Sequence, residues 1–295
     1  MSSFVCFGEV LWDAFPEGER IGGAPLNVAL RLTSFGNDVQ IISAIGHDAR
    51  GEGILNYLSD AGLSLDGIQK NDRLETGVVQ VSLDSEGVAT YTIKHPVAWD
   101  SIEDTDEALK LSGASGVFVY GSLAARSETT YTTLKACLKK AGYKVFDVNL
   151  RPPFYSVAKI EELMQPADFV KCNDDELEEL IMQPQALSSF REGMEYLSGQ
   201  FNVPTICVTR GGEGALLLRD GVFYENKGYI VEVDDTVGAG DSFLGTLLHE
   251  LHSGRDEQGA LDRACAVGAI VASKPGANPS VSEDEIKDLM TNRSR

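Results

Sequence analysis

The chain lacks any long apolar run and is poor in cationic side chains. No stretch of about 18 apolar residues occurs, so we expect no transmembrane helix. The first residues also lack the basic and apolar segments of a signal peptide. Only 25 Lys and Arg stand against 45 Asp and Glu, which gives a net charge of −20 and opposes binding to nucleic acid or anionic membranes. We therefore expect a cytoplasmic protein without nucleic-acid or membrane partners.

Several familiar motifs are also missing. The five cysteines are scattered and never in C-x-x-C spacing, so we expect reduced, buried thiols. The sequence has no G-x-x-x-x-G-K-[ST] motif and no H-R-D or D-F-G element. Gly238 and Gly240 are followed by Phe243, where a dinucleotide-binding fingerprint has Gly or Ala. These absences exclude a P-loop enzyme and a protein kinase and disfavour a Rossmann NAD site.

Short β-rich runs alternate with helical patterns along most of the chain. With 43% hydrophobic residues in 295, the chain can bury a sizeable core. Strands separated by helices predict right-handed βαβ units and a mostly parallel sheet covered on both faces. The predicted strands are at 4–7, 39–44, 116–120, 144–148, 169–171, 205–209 and 215–219. The predicted helices are at 26–34, 53–61, 131–141, 174–181, 188–200, 242–252 and 261–273.

The segment 76–93 departs from this alternation. It is typical of two strands around an Asp-Ser-Glu-Gly turn. Together with 10–15 it could form a small sheet that projects from the main domain. Such a flap would exclude water from a phosphoryl transfer, whereas the structural alternative is an ordinary surface hairpin.

Residues 235–243 read Asp-Thr-Val-Gly-Ala-Gly-Asp-Ser-Phe, between a β-rich run at 229–233 and a helical pattern. The glycines let backbone N–H groups approach an anion, and the following helix points its positive end at the same place. Asp241 lies in the first helical turn, where the dipole favours its ionised form. An anion cradle beside a carboxylate is what phosphoryl transfer to a hydroxyl requires, so we predict a small-molecule kinase. The structural alternative is a Gly-rich turn with an acidic cap.

Polar residues also follow other predicted strands or begin helices. Each is more often a turn or a cap than a site, but such positions at one sheet edge together form a cleft. Asp13, Asn27 and Asn149 offer directional hydrogen bonds suited to sugar hydroxyls. Lys171 and Arg151 are the nearest cations that could offset phosphate charge.

The residues that follow two further predicted strands are suited to binding a metal ion and a nucleotide. Asn173 and Glu176 supply hard oxygen ligands suited to Mg²⁺, directly or through its waters. Thr209, Gly212 and Gly214 favour close backbone contact with a nucleotide.

At this point the motifs match a known family. The 235–243 segment is similar to the C-terminal signature of the ribokinase (PfkB) family of carbohydrate kinases. Gly22-Gly23-Ala24-Pro25-Leu26-Asn27 resembles the N-terminal signature in the form common among fructokinases. Gly46-His47-Asp48-Ala49-Arg50-Gly51 and the N-x-x-E segment Asn173-Asp174-Asp175-Glu176 match as well. The resemblance runs in order from Gly8 to about Asn278.

The resemblance implies an α/β fold, namely a single three-layer α/β/α ribokinase-like domain over residues 1–295. Its mostly parallel sheet would carry a small β-sheet lid, formed by about 10–22 and 74–101 and often used for dimerisation in this family. It implies Asp241 as the base that deprotonates the sugar. Gly238, Ala239 and Gly240 would then form the anion hole for the γ-phosphate.

The resemblance also implies ATP and Mg²⁺ as cofactors. ATP would bind near 209–214, the anion-hole turn and 265–278, which adds Asn278 to the nucleotide contacts, together with Lys171 and Asn173. Many members of the family bind K⁺ beside this loop, and Asp235 and Thr236 match part of that site.

The identity of the sugar rests on fewer residues. The Gly-Gly-Ala-Pro form favours fructose over ribose, with Gly23, Asn27, Asp13, Asn149 and Arg151 as sugar contacts. Trp99 could cover a sugar face or fill the core of the lid, and the segment 94–99 departs from fructokinase lids. A kinase for 2-keto-3-deoxygluconate, ribose or a nucleoside therefore stays open, with Lys94 or Arg151 as the cation for a sugar acid. A non-catalytic sugar-binding regulator is a further alternative.

Overall fold

The computed structural model describes residues 3–16, 18–83, 89–181 and 189–291. The chain forms two sheets and helices on both sides of the larger one. The strands are β1 (Ser3–Phe7), β2 (Leu11–Phe15), β3 (Gly18–Gly22), β4 (Asp38–Gly46), β5 (Ile68–Asn71), β6 (Gly77–Leu83), β7 (Ala89–Ile93), β8 (Val117–Gly121), β9 (Tyr143–Asp147), β10 (Phe169–Asn173), β11 (Thr205–Thr209), β12 (Ala215–Arg219) and β13 (Val222–Asn226).

The main sheet has nine strands in the order β13-β12-β11-β10-β9-β8-β1-β4-β5. Neighbouring strands from β11 to β5 run parallel, whereas β12 and β13 are antiparallel additions at one edge. The parallel strands are short apolar runs because both of their faces are covered. In β1, for example, all residues from Phe4 to Phe7 are buried.

The helices form the two outer layers of a three-layer α/β/α arrangement. They are α1 (Ala24–Ser34), α2 (Ala49–Asp60), α3 (Asp106–Ala114), α4 (Glu128–Leu138), α5 (Val157–Met164), α6 (Asp174–Leu180), α7 (Phe190–Phe201), α8 (Ala239–His252), α9 (Glu257–Ala272) and α10 (Glu283–Thr291). Apolar residues of α1, α2, α8, α9 and α10 pack in one core, and those of α3 to α7 pack in the other. No helix of the described residues has the length and apolar character needed to cross a membrane.

The small sheet has the order β3-β2-β6-β7, with β2 and β6 parallel and the other pairs antiparallel. It is joined to α2 through Trp12, whose Nε1 donates to the Arg50 carbonyl at 3.0 Å. A Cβ at Gly53 would lie 2.8 Å from the Trp12 ring, so only glycine leaves space for this contact.

The structure confirms the predicted fold class and the seven predicted core strands. The turn expected at 84–87 and the first residue of the helix expected at 188–200 lie outside the described residues. The prediction of a strand from the β-rich run at 229–233 is wrong, because the structure has no strand in this segment and Ile230 is 92% exposed. Strand propensity needs a neighbouring strand, and the sheet ends at β13 instead. The sequence patterns missed β3, β5, β13, α3, α5 and α10.

Trp99 lies beneath the small sheet and is completely buried. The Arg126 guanidinium stacks on its ring at 3.8 Å and lies 4.7 Å from the Phe154 ring. A Cβ at Gly77 would lie 2.4 Å from Trp99 Nε1, so the indole fills the space that glycine leaves. Of the two roles open for Trp99, the contact with a sugar face is therefore wrong, because no ligand can reach the ring.

Arg126 also forms a bidentate ion pair with Asp100, at 2.6 and 2.7 Å, and both side chains are almost fully buried. Its Nη2 donates to the Lys94 carbonyl at 2.7 Å. The guanidinium thus joins the segment that leaves β7 to the short 3₁₀ helix at Leu123–Arg126.

We predict that Arg126→Met lowers the free energy of unfolding by about 3–5 kcal/mol, because Asp100 loses its partner in a buried site. Urea unfolding followed by circular dichroism measures this loss. Lys110→Met is the control, since it breaks an exposed pair with Glu107 and should change stability by less than about 0.5 kcal/mol. Equal, small changes in the two variants would contradict the prediction.

Candidate active site

The candidate site lies at the carboxyl ends of the parallel strands, where the strand order reverses. β1 continues through the small sheet and α1 to β4 on one side, while β8 lies on its other side. Ligands of open α/β sheets bind in the crevice at such a position. Gly8, Glu9, Gly121 and Asp147 all stand at or just beyond the ends of these strands.

Asp241 stands in the first turn of α8, and its contacts come from distant segments. Asn27, buried in the first turns of α1, donates from Nδ2 to Asp241 Oδ2 at 2.8 Å. Asn278 donates in turn from Nδ2 to Asn27 Oδ1 at 2.7 Å. The two bonds fix the Asn27 amide, so Asp241 always faces a donor.

The electrostatic setting of Asp241 suits a base. Burial, followed by repulsion from Asp147, raises the pKa of Asp241 to about 6 from the ordinary value of 3.8. Asn27, Lys171 and Arg151 act in the opposite direction and limit the rise. The carboxylate is thus mostly ionised at neutral pH and binds a proton more readily than an ordinary aspartate.

Two more carboxyl groups lie on the same side as Asp241. Burial raises the pKa of Glu9 to about 7, and the Asp241 charge adds to the rise. Burial also raises the pKa of Asp13 to about 6. The Arg151 guanidinium lowers the pKa of all three groups, so it is the cation that Glu9, Asp13 and Asp241 share.

Asn149 is held in an unusual conformation between these groups. Its φ of 38° lies in the left-handed region, which is uncommon for a residue with a Cβ. Ser122 donates from Oγ to the Asn149 carbonyl at 3.1 Å and helps to hold the turn. Outliers of this kind are typical of functional positions, where surrounding contacts compensate for the strain.

Lys171 lies deeper, beside the start of α8. Its Nζ donates to Asp147 Oδ1 at 3.0 Å, and both side chains are at least nine-tenths buried. Burial alone would lower the pKa of Lys171, but the Asp147, Glu176 and Asp241 carboxylates outweigh it and raise the pKa above its ordinary value. A Cβ at Gly240 would lie 3.4 Å from Nζ, so the ammonium directly adjoins the glycine turn.

The turn before α8 depends on glycine for its shape. Gly238 has a φ of 74°, and a Cβ there would lie 2.3 Å from the Ala277 carbonyl oxygen. Both carboxylate oxygens of Asp235 are hydrogen-bonded. Oδ1 accepts from Val237 N within the turn at 2.9 Å, and Oδ2 accepts from Gly276 N in the segment after α9 at 3.2 Å. The turn is therefore pressed against the segment that follows α9.

A cleft of about 400 Å³ opens on the other side of this turn. Thr209, Gly212, Gly214 and Asn173, which are predicted nucleotide contacts, are among its lining residues. Asp174 of α6 and Gly211 after β11 line it as well. Its remaining walls come from α8, α9 and the coil before the turn, namely Gly228, Tyr229, Val231, Val233, Thr236, Ala239, Gly240, Phe243, Cys265, Gly268, Ala269 and Ala272.

Asn173 and Glu176 form a capping box at the start of α6. Asn173 Oδ1 accepts from Glu176 N at 2.7 Å, and Glu176 Oε2 accepts from Asn173 N at 2.9 Å. Glu176 Oε1 accepts from Leu150 N at 2.8 Å, which ties α6 to the segment after β9. Among the described residues no three His, Cys, Asp or Glu side chains are grouped to hold a metal. This donor set fits Mg²⁺ that keeps most of its waters.

One predicted contact lies elsewhere than expected. Asn278 is not among the residues that line the nucleotide cleft, because the chain after α9 turns back across Gly238 toward α1. Its amide donates to Asn27 Oδ1 instead, and its assignment as a nucleotide contact stays a prediction. The sequence analysis also gave no role to Glu9 or Asp147, although both stand at strand ends, where a polar residue is a signal.

Comparisons with known proteins give one family. The model of the pfkB family carbohydrate kinases matches residues 4–284. Probable fructokinase-5 of Arabidopsis thaliana is 27% identical over 99% of this chain and 98% of its own length. Fructokinase-2 of Solanum habrochaites is 29% identical over 94% of this chain and 92% of its own length.

Solved structures share the fold. A fructokinase double mutant from Vibrio cholerae O395, bound to fructose, ADP and potassium ion, has a TM-score of 0.84 at 24% identity, covering 98% of both chains. The 2-dehydro-3-deoxygluconokinase of Thermotoga maritima has a TM-score of 0.84 at 19% identity, covering 99% of this chain and 98% of its own.

We predict that Asp241→Asn raises the free energy of unfolding by about 1–2 kcal/mol near pH 7.5, a value reduced for partial solvent access. Because its folded pKa lies above 3.8, Asp241 contributes stability that is present below about pH 4 and is lost as pH rises through about 6. The amide cannot ionise, so the gain should disappear toward pH 4. Thermal unfolding across this range measures it.

Asp256→Asn is the matched control, because Asp256 caps α9 at the surface and Asn caps equally well. Its stability difference should stay near zero at each pH. A loss of stability in Asp241→Asn at pH 7.5, without a pH trend, would contradict the prediction.

Proposed function

Since this chain belongs to the pfkB family of carbohydrate kinases and is an ATP-dependent sugar kinase, we propose that it phosphorylates fructose with Asp241 as the general base. Gly238, Ala239 and Gly240 form the anion hole in this proposal. The relatives named above as fructokinases, although below 30% identity, support fructose as the substrate.

One observation supports this mechanism best. Gly240 lines the nucleotide cleft, whereas the next residue, Asp241, is bonded to Asn27 on the opposite side. The start of α8 is thus the boundary between two binding regions. A sugar hydroxyl beside Asp241 and a terminal phosphate at Gly240 would meet there, which is the positioning that phosphoryl transfer needs.

In this arrangement Asp241 accepts the proton of the attacking hydroxyl as its oxygen forms a bond to the γ-phosphorus, while the bond from that phosphorus to the bridging oxygen breaks and ADP leaves. Asn27 keeps the carboxylate oriented, and Asp13, Asn149 and Arg151 bind the remaining sugar hydroxyls. The backbone N–H groups at the helix start stabilise the charge on the transferred group.

Lys171 supplies the full positive charge for that group. Its ammonium adjoins Gly240 and stays protonated, because three carboxylates raise its pKa. An overall charge of −20 repels ATP at long range, so a buried cation at the point of transfer is needed locally.

We propose Asn173 and Glu176 as the residues that would hold Mg²⁺ through its waters. When bound, the ion would offset phosphate charge. We also propose that Asp235 and Thr236 belong to a K⁺ site. Both Asp235 oxygens already accept backbone N–H groups, so its carboxylate is fixed in place.

The small sheet, with about 10–22 and 74–101, is proposed as the lid of a single domain over 1–295. Asp13 lies in this sheet, and the Arg151 charge lowers the pKa of Asp13, so the sheet brings Asp13 toward Arg151. The same sheet is proposed as the surface through which two copies would pair.

The charges around the sugar region favour a neutral sugar over a sugar acid. Asp13 and Asp241 share one guanidinium, that of Arg151, so an anionic substrate would face an excess of negative charge. Lys94, the other candidate cation, is paired with Glu75. We therefore rank fructose ahead of 2-keto-3-deoxygluconate.

We predict that Asp241→Asn lowers kcat for fructose by at least about 1,000-fold, because the hydroxyl loses its base within a preorganised site. Coupled ADP-release assays give kcat, and calorimetric titration with ATP should give an unchanged Kd within about threefold. Wild-type kcat should fall as pH drops through about 6, where Asp241 takes up its proton. Asp256→Asn is the control for both measurements, and a wild-type rate in Asp241→Asn would refute the mechanism.

A second prediction concerns the substrate. In a panel at equal concentration, kcat/KM for fructose should exceed that for 2-keto-3-deoxygluconate by at least about 100-fold, because a like charge in a partly buried site costs several kcal/mol. Ribose and a nucleoside complete the panel. Preference for the sugar acid would overturn the electrostatic ranking while leaving the kinase assignment intact.

A further inference from the structure

A small internal cavity lies directly behind the proposed sugar contacts, between the ends of β1, β8 and β9. Its volume is about 10 Å³, which is room for one water molecule. Glu9, Asp147, Asn149 and Ser122 supply its polar lining, and Pro25 and Val28 of α1 are among its apolar neighbours.

Two acidic residues, Glu9 and Asp147, therefore line a space with room for a single water. Asp147 is only 4% exposed, and its Oδ2 is buried without a hydrogen-bond partner among the residues described here. Glu9 is also 4% exposed. A buried acceptor without a donor is destabilising, and two ionised carboxylates at one small cavity would add repulsion.

We propose that Glu9 carries a proton in the active enzyme and donates it, directly or through one water, to the unpaired Asp147 Oδ2. One hydrogen bond then satisfies the orphaned acceptor and removes the repulsion. Glu9 is a positioning residue in this scheme, since it acts through Asp147. This inference rests on the proposed kinase function of the same site.

Through Asp147 and Lys171, the protonation state of Glu9 also affects the proposed anion hole. Asp147 Oδ1 binds Lys171 Nζ at 3.0 Å, and Nζ adjoins Gly240. With Glu9 protonated, Asp147 keeps both oxygens bonded and holds the ammonium in place. When Glu9 ionises, its negative charge repels Asp147 and attracts Arg151. Lys171, which is bonded to Asp147, and Arg151 then both lose their fixed positions.

The groups that face Glu9 determine when it ionises. The Asp241 charge raises the pKa of Glu9 and the Arg151 charge lowers it, while Asp147 lines the same cavity as Glu9. From α1 only the backbone N–H of Ala24 faces it, and this lowers its pKa. The net result is a pKa of about 7, above that of Asp241.

The test is the pH dependence of kcat/KM in Glu9→Gln, because the amide keeps a donor that cannot ionise. In the wild type kcat/KM should rise through about pH 6 and fall by at least about fivefold between pH 7 and pH 9. In Glu9→Gln the rise should remain and the fall should shrink to less than about twofold. A fall that persists unchanged overturns the inference.

A second readout does not depend on catalysis. Near pH 6.5 the infrared carbonyl band of protonated carboxylic acids should be clearly stronger in the wild type than in Glu9→Gln, where the partly protonated Asp13 and Asp241 still contribute. An identical band in both proteins overturns the inference, even if the kinase is active. A wild type that phosphorylates no sugar contradicts the proposed function instead, and the infrared result still decides the state of Glu9.

Glu250→Gln is the matched control, because Glu250 is equally buried, at 4% exposure, and is paired with Arg255 and Arg263 away from the site. It should leave the pH profile and the infrared band unchanged. If Glu9→Gln does not fold, Asp241→Asn replaces it in the infrared measurement. Loss of the Asp241 charge should lower the pKa of Glu9, so the band should disappear at a lower pH than in the wild type. An unchanged midpoint overturns the inference.

Discussion

Three carboxylates, from Asp147, Glu176 and Asp241, crowd the carboxyl edge of the main sheet around the buried Lys171 ammonium. Without this cation they would repel one another in a region with little water. Each carboxylate comes from a different element, β9, α6 and α8, and the ammonium bonds Asp147 directly while Glu176 and Asp241 interact with it through their charge. The geometry of the glycine turn, the end of β9 and the α6 cap all depend on that charge balance.

The same local arrangement of charges also explains how a strongly acidic chain could bind ATP. A net charge of −20 opposes the approach of ATP, yet phosphoryl transfer requires a strongly positive site. Lys171 adjoins the start of α8 at Gly240, where we propose that the terminal phosphate lies, and Arg151 is the cation on the proposed sugar side. Positive charge is therefore scarce but concentrated, and screening by salt affects Lys171 little because it is buried.

The parts of the site that sequence could predict are those whose chemistry is local. Gly238, Gly240 and Asp241 fall within one turn, so a short motif contains both the shape and the charge. The surroundings of Asn278 and Trp99 could not be predicted, because they depend on where a distant segment returns, over α1 in one case and beneath the small sheet in the other. The run at 229–233 failed for a similar reason, since strand formation depends on a partner strand that the pattern does not contain. The partnership of Glu9 with Asp147 has no local signal beyond two acids at strand ends.

The position of Asn27 shows that different segments of the chain supply the proposed sugar contacts and the proposed reacting groups. Its amide contacts Asp241, the proposed base, but it belongs to the β3–α1 junction, whereas the proposed base and the proposed anion hole share the start of α8. In the proposed mechanism, substitutions in the first hundred residues can thus reshape the sugar pocket without moving the reacting groups relative to each other. For enzyme engineering, this mechanism makes the start of α8 the part to keep, and new acceptors are best sought by diversifying the segments around β2, β3 and the end of β9.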